Sequence, residues 1–185
     1  MPRKGLAMED ILSAATELVK EKGFEQFSLR ELAGKLSVKP ASLYNHTANV
    51  AELTTAIGHI ALQTLNEKLK TAAKGKKEID MLWAIADAYR VYAKENQELY
   101  KAIVHLPAFE DDSLREESHS LVSFLYQILE TYQLEESEKI QFARAYRSAM
   151  HGFVSLEMSG YFQKGVDVDD SYHYLIGSLL NRLTD

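Results

Sequence analysis

Apolar residues recur at helical spacing along almost the whole chain, and this periodicity constrains the fold more than any other feature of the sequence. No stretch alternates between apolar and polar residues for long enough to predict a β-strand. Hydrophobic residues make up 46% of the 185 residues, enough for a core in one domain or in a small domain attached to a larger one. The sequence therefore predicts an all-α fold of about nine helices.

Three short helices are predicted at the N-terminus. The stretch MEDILSAATELVKEKG is amphipathic and ends at Gly23, a residue that tolerates the left-handed conformation common after helices. Ser28 precedes Glu31 by three residues, which is the spacing of a capping box at the start of the second helix. Lys39 and Pro40 begin the third helix, in which Leu43 is the one inward-facing anchor.

The stretch VKPASLYNH, around the third helix, presents polar and aromatic side chains outward. Three short helices with a tight turn before the last predict a helix-turn-helix, whose last helix enters the major groove of DNA. Ser42 and Asn45 can bond base edges, and Ala41 can meet a thymine methyl group. Tyr44 and His46 can reach phosphate oxygens. Taken alone, this group has an equally good alternative, a solvated helix end.

The distribution of charge agrees with a DNA-binding first segment. The net charge of −6 argues against general nucleic-acid binding. Residues 1–50, however, contain seven Lys/Arg and six Asp/Glu, which leaves −7 for the rest of the chain. This is the asymmetry expected if only the first segment meets phosphates.

Residues 23–53, GFEQFSLRELAGKLSVKPASLYNHTANVAEL, resemble the DNA-binding segment of the TetR family of bacterial transcriptional repressors. The Gly-Phe turn, the Ser-Leu-Arg-Glu-Leu-Ala helix and the Leu-Tyr-x-His end occur in the order and spacing of that family. The resemblance implies a homodimer that binds a palindromic operator in double-stranded DNA. It implies DNA contacts for Ser28, Arg30, Lys39, Ala41, Ser42, Tyr44, Asn45 and His46.

Two positions depart from the family pattern. Thr47 stands where the family usually has an aromatic residue, and we expect weaker packing beneath the recognition helix. Val50 stands where the family usually has a lysine that binds phosphate. Either the N-terminus of helix four supplies a weaker contact instead, or Val50 is an apolar staple of the DNA-binding segment.

The rest of the chain is predicted to be helical as well. Helix four, at about 48–73, connects a DNA-binding domain (1–50) to a ligand-binding and dimerisation domain (51–185). The five lysines between Lys68 and Lys77 are interpreted as a solvated turn around Gly75. Further helices are predicted over 77–95, 97–105, 113–132, 135–162 and 169–183, with Asn96, Ser113 and Asp170 as caps.

Fifteen of the 18 aromatic residues follow residue 50, which favours a pocket for an apolar or aromatic small-molecule effector. The candidates are Trp83, Tyr89, Tyr92, Phe109, Phe124, Tyr126, Tyr146, Arg147 and His151. Arg147 and His151 are four residues apart and share one helix face. His151 and Gly152 also resemble the WHG motif found in part of the TetR family. A buried pair with a purely structural role is the alternative.

The two C-terminal amphipathic segments expose more apolar surface than one chain of this length can bury. They predict a four-helix dimer interface, with Gly160 permitting close approach. The predicted interface residues are Leu156, Gly160, Tyr172, Leu175, Ile176 and Leu179.

Several classes of function find no support in the sequence. The chain has no cysteine, and its six histidines form no metal-binding spacing, so neither a cofactor nor a metal is predicted. An acid–base site of Arg147, His151 and Glu157 remains an alternative, as does a helical protein-interaction module. Since no catalytic motif is recognised, we expect that the protein is not an enzyme. No apolar run reaches the length of a membrane-spanning helix and no signal peptide is recognised, so we expect a cytoplasmic protein.

Overall fold

Each predicted amphipathic stretch forms an α-helix in a computed structural model of the chain. The structure describes residues 6–106, 112–163 and 165–184, and among these it contains nine α-helices and no strand, which confirms the all-α prediction. The helices are α1 (Met8–Lys22), α2 (Leu29–Lys35), α3 (Pro40–Leu43), α4 (Val50–Ala73), α5 (Glu78–Glu95), α6 (Gln97–Val104), α7 (Asp112–Leu129), α8 (Glu136–Met158) and α9 (Val168–Leu180). In the described part of the chain, no helix is both long and apolar enough to cross a membrane.

The backbone divides into two compact units. The first unit comprises the chain up to Gln63 together with Asn96–Leu114, and the second comprises Thr64–Glu95 and Arg115–Asp185. The short helix α6 therefore packs with α1, α2, α3 and the first half of α4, although it follows α5 in the sequence. The predicted functional division at residue 50 stays a prediction, since these units are defined by packing alone.

The first unit has one apolar core to which five helices contribute. Ile11, Leu32, Leu43 and Ile57 are fully buried in it, and Leu99 of α6 is 5% exposed. Burial of such side chains provides most of the stability of short helices, which are marginal alone. Leu43 is thus the predicted anchor of α3.

In the second unit α5, α8 and α9 pack against one another. Two tyrosines in this core, Tyr146 of α8 and Tyr172 of α9, are both 0% exposed. Tyr146 donates its hydroxyl hydrogen to the carbonyl of Leu82, and Tyr172 donates to that of Ala86 at 2.7 Å. Both buried hydroxyl groups thus have an acceptor, which avoids the cost of an unpaired polar group.

Several helix boundaries differ from the prediction. Helix α7 ends at Leu129 instead of residue 132 and contains Ser113, which is therefore not its cap. Helix α9 ends at Leu180 and continues as a 3₁₀ turn to Leu183, the predicted end of the helix.

Two further differences concern the end of α8 and the cap of α9. Helix α8 ends at Met158 instead of residue 162, because the chain leaves helical geometry at Ser159 and Gly160 takes a left-handed φ of 72°. The cap of α9 is Asp167, whose carboxylate accepts the backbone N–H of Asp169 at 2.6 Å. The prediction of Asp170 as this cap is therefore wrong.

Candidate functional site

The recognition segment, residues 39–46, begins with the short helix α3 and continues as a turn. Lys39 is extended, with φ −77° and ψ 143°, and Pro40 starts the helix with its fixed φ. Leu43 is 0% exposed and holds the segment against the first-unit core. The preceding turn contains Ser37 at a φ of 55°, a left-handed conformation that is uncommon outside glycine.

The predicted DNA-contact residues divide into exposed and half-buried groups. Arg30, Lys39, Ala41, Tyr44 and Asn45 are exposed, and Tyr44 has 59% of its surface accessible. The half-buried residues are Ser28, Ser42 and His46. Ser28 caps α2: its Oγ accepts the N–H of Glu31 at 3.4 Å and donates to Glu31 Oε2 at 2.9 Å. The cap predicted from the sequence is confirmed.

The cations of the first unit are used in two ways. Lys22 pairs with Glu31, and Lys35 lies 2.8 Å from Glu21 Oε1, so both tie α1 to α2. The pKa of Lys35 is raised, first of all by its hydrogen bond to Glu21. Among the described residues, Arg30 and Lys39 have no ion-pair partner. These two charges are available to phosphate groups.

A polar cluster joins the recognition segment to α4. Thr47 is 3% exposed, and its Oγ1 lies 2.9 Å from Asn49 O and 3.0 Å from Glu52 Oε2. Glu52 Oε2 also accepts the N–H of Ala48 at 2.6 Å, and Glu52 donates its own N–H to Asn49 Oδ1 at 2.9 Å. The expected weak packing at Thr47 is thus offset by a hydrogen-bonded cap at the start of α4.

Val50, the first residue of α4, is half-buried and packs against the first-unit core. Of the two alternatives for this residue, the packing therefore favours the apolar staple.

The predicted ligand-binding residues of the second unit differ in how deeply they are buried. Tyr92 and Tyr146 are buried, whereas Trp83, Tyr89, Phe124 and Tyr126 are half-buried and Arg147 and His151 are exposed. Phe109 lies outside the described residues. The exposure of Arg147 and His151 contradicts the alternative of a buried pair with a purely structural role. His151 Nδ1 lies 3.5 Å from Tyr89 Oη, and partial burial, followed by the charge of Arg147, lowers the pKa of His151.

The described part of the second unit includes clefts between α4 and α5, between α5 and α9, and between α8 and α9. The α4–α5 cleft has a volume of about 530 Å³, and the α5–α9 cleft about 380 Å³. The α8–α9 cleft, of about 280 Å³, is bordered by Phe142 and Leu179. Of the described ligand candidates, only Tyr92 lines any of these three clefts, and it lies in the α4–α5 cleft. That cleft is lined by Thr64, Glu67, Lys68, Thr71, Ala72, Ala88, Val91, Tyr92 and Glu95.

Arg90 is not among the residues predicted from the sequence, and at 7% exposure it is the only buried charged residue in the described part of the chain. Its Nε and Nη2 donate to the two carboxylate oxygens of Glu157 at 2.8 and 2.7 Å, and Nη2 donates to Asp169 Oδ1 at 2.6 Å. Arg90 lies on the buried face of α5, four residues after Ala86 and three before Ala93. This helical spacing is the feature of the sequence that could have identified Arg90 as a buried residue.

Lys94 completes the Arg90 cluster, which we define as Arg90, Lys94, Glu157 and Asp169. Lys94 Nζ is 3.3 Å from Glu157 Oε1. Arg90 is the main cause that holds the pKa of Glu157 and of Asp169 below the usual values. Because Glu157 is bound to Arg90, the alternative acid–base site of Arg147, His151 and Glu157 loses its carboxylate.

The predicted interface residues include two that are not available to a partner. Tyr172 and Ile176 are 0% exposed within the single chain, so they belong to its own core. Leu156 is 45% exposed, Gly160 is exposed, and Leu175 and Leu179 are half-buried. These four remain the predicted interface.

Two family models match the chain. Residues 11–57 match the model described as bacterial regulatory proteins, tetR family. Residues 82–179, more than half of the chain, match the model described as tetracyclin repressor-like, C-terminal domain.

Relatives and solved structures agree with these matches. The chain is 28% identical over 183 residues to the uncharacterized HTH-type transcriptional regulator YobS of Bacillus subtilis, covering 98% of this chain and 95% of the relative. A Rhodococcus protein of unknown function aligns with a TM-score of 0.83 at 19% identity, over 100% and 98% of the two chains. A TetR variant from Acinetobacter baumannii in complex with minocycline aligns at 0.69 with 20% identity, over 97% of each chain.

Proposed function

Since the chain belongs to the TetR family of DNA-binding transcriptional regulators, we propose that it is a homodimeric repressor that a small molecule releases from a palindromic operator. The observation that carries this proposal is the recognition segment, in which Leu43 is buried while Tyr44 and Asn45 are exposed. Arg30 and Lys39 are exposed too, and neither has an ion-pair partner among the described residues. Two such segments separated by one turn of DNA, about 34–36 Å, would read two half-sites.

In this proposal the residues of the first unit have different tasks. Arg30 and Lys39 neutralise phosphates, and Tyr44 and His46 bond phosphate oxygens. Ser42 and Asn45 bond base edges, and the methyl group of Ala41 meets a thymine methyl group. Ser28 contacts the backbone from the cap of α2.

Replacing Tyr44 by alanine tests the proposed DNA interface. We expect loss of operator binding with a change of less than about 0.5 kcal/mol in the free energy of unfolding, because the side chain is exposed. Operator duplexes would first be selected by the wild-type protein from a random-sequence pool. Val91→Ala, which truncates a 51% exposed side chain of α5 outside the proposed dimer surface, is the control. Operator binding by Tyr44→Ala as strong as that of the wild-type protein would show that Tyr44 does not contact DNA.

We propose that the dimer forms through the outer faces of α8 and α9, at Leu156, Gly160, Leu175 and Leu179. The exposed apolar side chain of Leu156 supports this surface. Leu156→Glu should produce monomers in analytical ultracentrifugation. Val91→Glu places the same charge at a 51% exposed residue of α5 and should leave the dimer intact. A dimeric Leu156→Glu would contradict this interface.

For the effector we propose an apolar or aromatic molecule bound in the α4–α5 cleft. The volume of this cleft lies in the usual range for small-molecule sites, about 300–1,000 Å³. Tyr92, Val91, Ala88 and Ala72 give it apolar walls, and threonine hydroxyl groups can orient a polar end. The alternative is a contact with Arg147 and His151 on α8.

Two substitutions separate these effector sites once mass spectrometry has identified a molecule retained by the purified protein. Ala88→Trp should fill the α4–α5 cleft and abolish release from DNA by that molecule, whereas Arg147→Met should have no effect. The opposite result would assign the effector to Arg147. Recovery of a chemically altered molecule would favour the enzyme alternative, and salt-insensitive DNA binding would favour the interaction module.

A further inference from the structure

Helix α6 is part of the core of the first unit, although it lies outside the helix-turn-helix in sequence. Leu99 and Ala102 of α6 are 5% and 1% exposed and share one apolar core with Leu43 of the recognition segment. Helix α6 also packs against α1. One of its polar side chains, Glu98, reaches the turn between α1 and α2.

The carboxylate of Glu98 is held on both oxygens. Oε2 accepts the backbone N–H of Phe24 at 2.7 Å, and Oε1 accepts a hydrogen bond from Lys101 Nζ at 2.7 Å. Lys101, and after it the Phe24 N–H, keep the pKa of Glu98 below its usual value, so the group is ionised at neutral pH. Hydrogen bonds to an ionised acceptor are shorter and stronger than neutral ones.

The turn is shaped to receive this carboxylate. Gly23 has a φ of 101°, which side-chain-bearing residues rarely adopt, and a Cβ there would lie 3.3 Å from Glu98 Oε2. The ring of Phe24 packs on the first-unit core and lies 5.5 Å from that of His105. Helix α6 thus holds both the backbone and the side chain of Phe24.

Helix α6 is itself fixed by a close contact with α4. A Cβ on Gly58 would lie 2.5 Å from Leu106 Cδ2 and 3.1 Å from the carbonyl oxygen of Ala102. A side chain at this position would have to displace the Leu106 side chain and would crowd the carbonyl group of Ala102. The position of Glu98 within the first unit is therefore determined by the packing of α6 against both α1 and α4.

We propose that Glu98 is a positioning residue for DNA binding. By fixing the N–H of Phe24, it sets the direction in which the chain enters α2, the helix that begins at the Ser28 cap and presents Arg30. Because phosphate contacts require a defined placement of their donors, a loosened turn would reduce the fraction of molecules in the binding-competent conformation. Glu98 acts through this turn and does not touch DNA.

The sign of the effect distinguishes this role from simple electrostatics. Removing a negative charge near DNA should by itself strengthen binding. We nevertheless expect Glu98→Ala to weaken binding to wild-type-selected duplexes by about tenfold, since a hydrogen bond to a charged group is worth roughly that factor in a local equilibrium. Because the competent molecules keep all their phosphate contacts, the slope of log K against log[salt] should stay that of the wild-type protein.

Three further variants complete the experiment. Glu98→Gln loses the charge but keeps an acceptor and should restore binding, whereas Glu98→Asp keeps the charge, is too short, and should bind weakly. Glu25→Ala removes a charge from the same turn at an exposed residue and should not weaken binding. All affinities are measured below the lowest melting temperature of the set, and Glu98→Asp provides the test if Glu98→Ala fails to fold.

Wild-type affinity in Glu98→Ala would overturn the inference, and so would a Glu98→Gln variant as weak as Glu98→Ala. If the wild-type protein selected no duplex, the operator proposal would fail together with this role. If it selected duplexes and bound them equally well without the Glu98 acceptor, only this role would fail.

Discussion

The two units use polar side chains in opposite ways. In the first unit the ion pairs lie at the surface, as between Lys22 and Glu31, and the buried hydroxyl of Thr47 caps a helix. In the second unit, the Arg90 guanidinium lies within the packing of α5, α8 and α9, 5.0 Å from the centre of the Tyr172 ring. In the first unit the charged pairs between helices are thus exposed to water, whereas in the second unit a charged side chain is part of the helix packing.

This difference indicates where the removal of a charge should matter. Exposed ion pairs contribute between about 0 and 1 kcal/mol because water screens them. A buried charge without its partner costs several times more, since it stays desolvated. The same chemical change should therefore have unequal effects in the two units.

The largest effect is expected for Arg90→Met. The side chain of Glu157 is only 15% exposed and would lose its main partner, at a cost of about 3–5 kcal/mol in the free energy of unfolding. Lys22→Met is the counterpart in the first unit and should cost less than about 1 kcal/mol, because Lys22 is 48% exposed. Urea denaturation of both variants would measure the contrast. Equal losses would erase the distinction between the units.

Acid should have a smaller effect of the same kind. Arg90 lowers the pKa of Glu157 and of Asp169 in the folded state, so their contribution is complete above the unfolded pKa values of about 4. This contribution to stability should be lost as the pH falls through the lower pKa values that the two carboxyl groups have in the folded protein. Unfolding free energies measured from pH 6 to pH 2 should show a steeper decline for the wild-type protein than for Arg90→Met. Parallel curves would mean that other carboxylates cause the acid sensitivity.

The smallest effect concerns Val50, where the first unit uses an apolar contact in place of a charge. Val50→Lys should lower the unfolding free energy by about 1 kcal/mol, because a half-buried valine is removed from the core. As the staple alternative implies, the salt dependence of DNA binding should not change. A slope steeper by about 0.9 per subunit with an unchanged melting temperature would instead establish the phosphate contact.

Local signals in the sequence predicted most of the fold. Helical periodicity placed the helices, and the spacing of Ser28 and Glu31 identified the cap of α2, because both patterns depend on neighbouring residues. The outward side of the recognition segment was predictable for the same reason, since Leu43 is its one buried residue. At α9, the aspartates at positions 167, 169 and 170 compete for one cap, so composition alone could not choose among them.

The contacts of the second unit were less predictable because they join residues far apart in the chain. Arg90 meets Glu157 and Asp169 across 67 and 79 positions, a pairing for which no local pattern exists. Arg147 and His151 share a helix face as expected, yet spacing could not tell that this face is exposed. Ile176 was assigned to a partner because its own core was unknown.

The hydroxyl groups of Tyr146 and Tyr172 together fix the position of α5 along its axis. They come from different helices and reach carbonyls of Leu82 and Ala86, which lie one turn apart. Sliding α5 by one residue would move these carbonyls by about 1.5 Å and turn them by about 100°, leaving both hydroxyl groups unmatched. Sliding of α5 along its axis relative to α8 and α9 is therefore disfavoured, because it would break two buried hydrogen bonds.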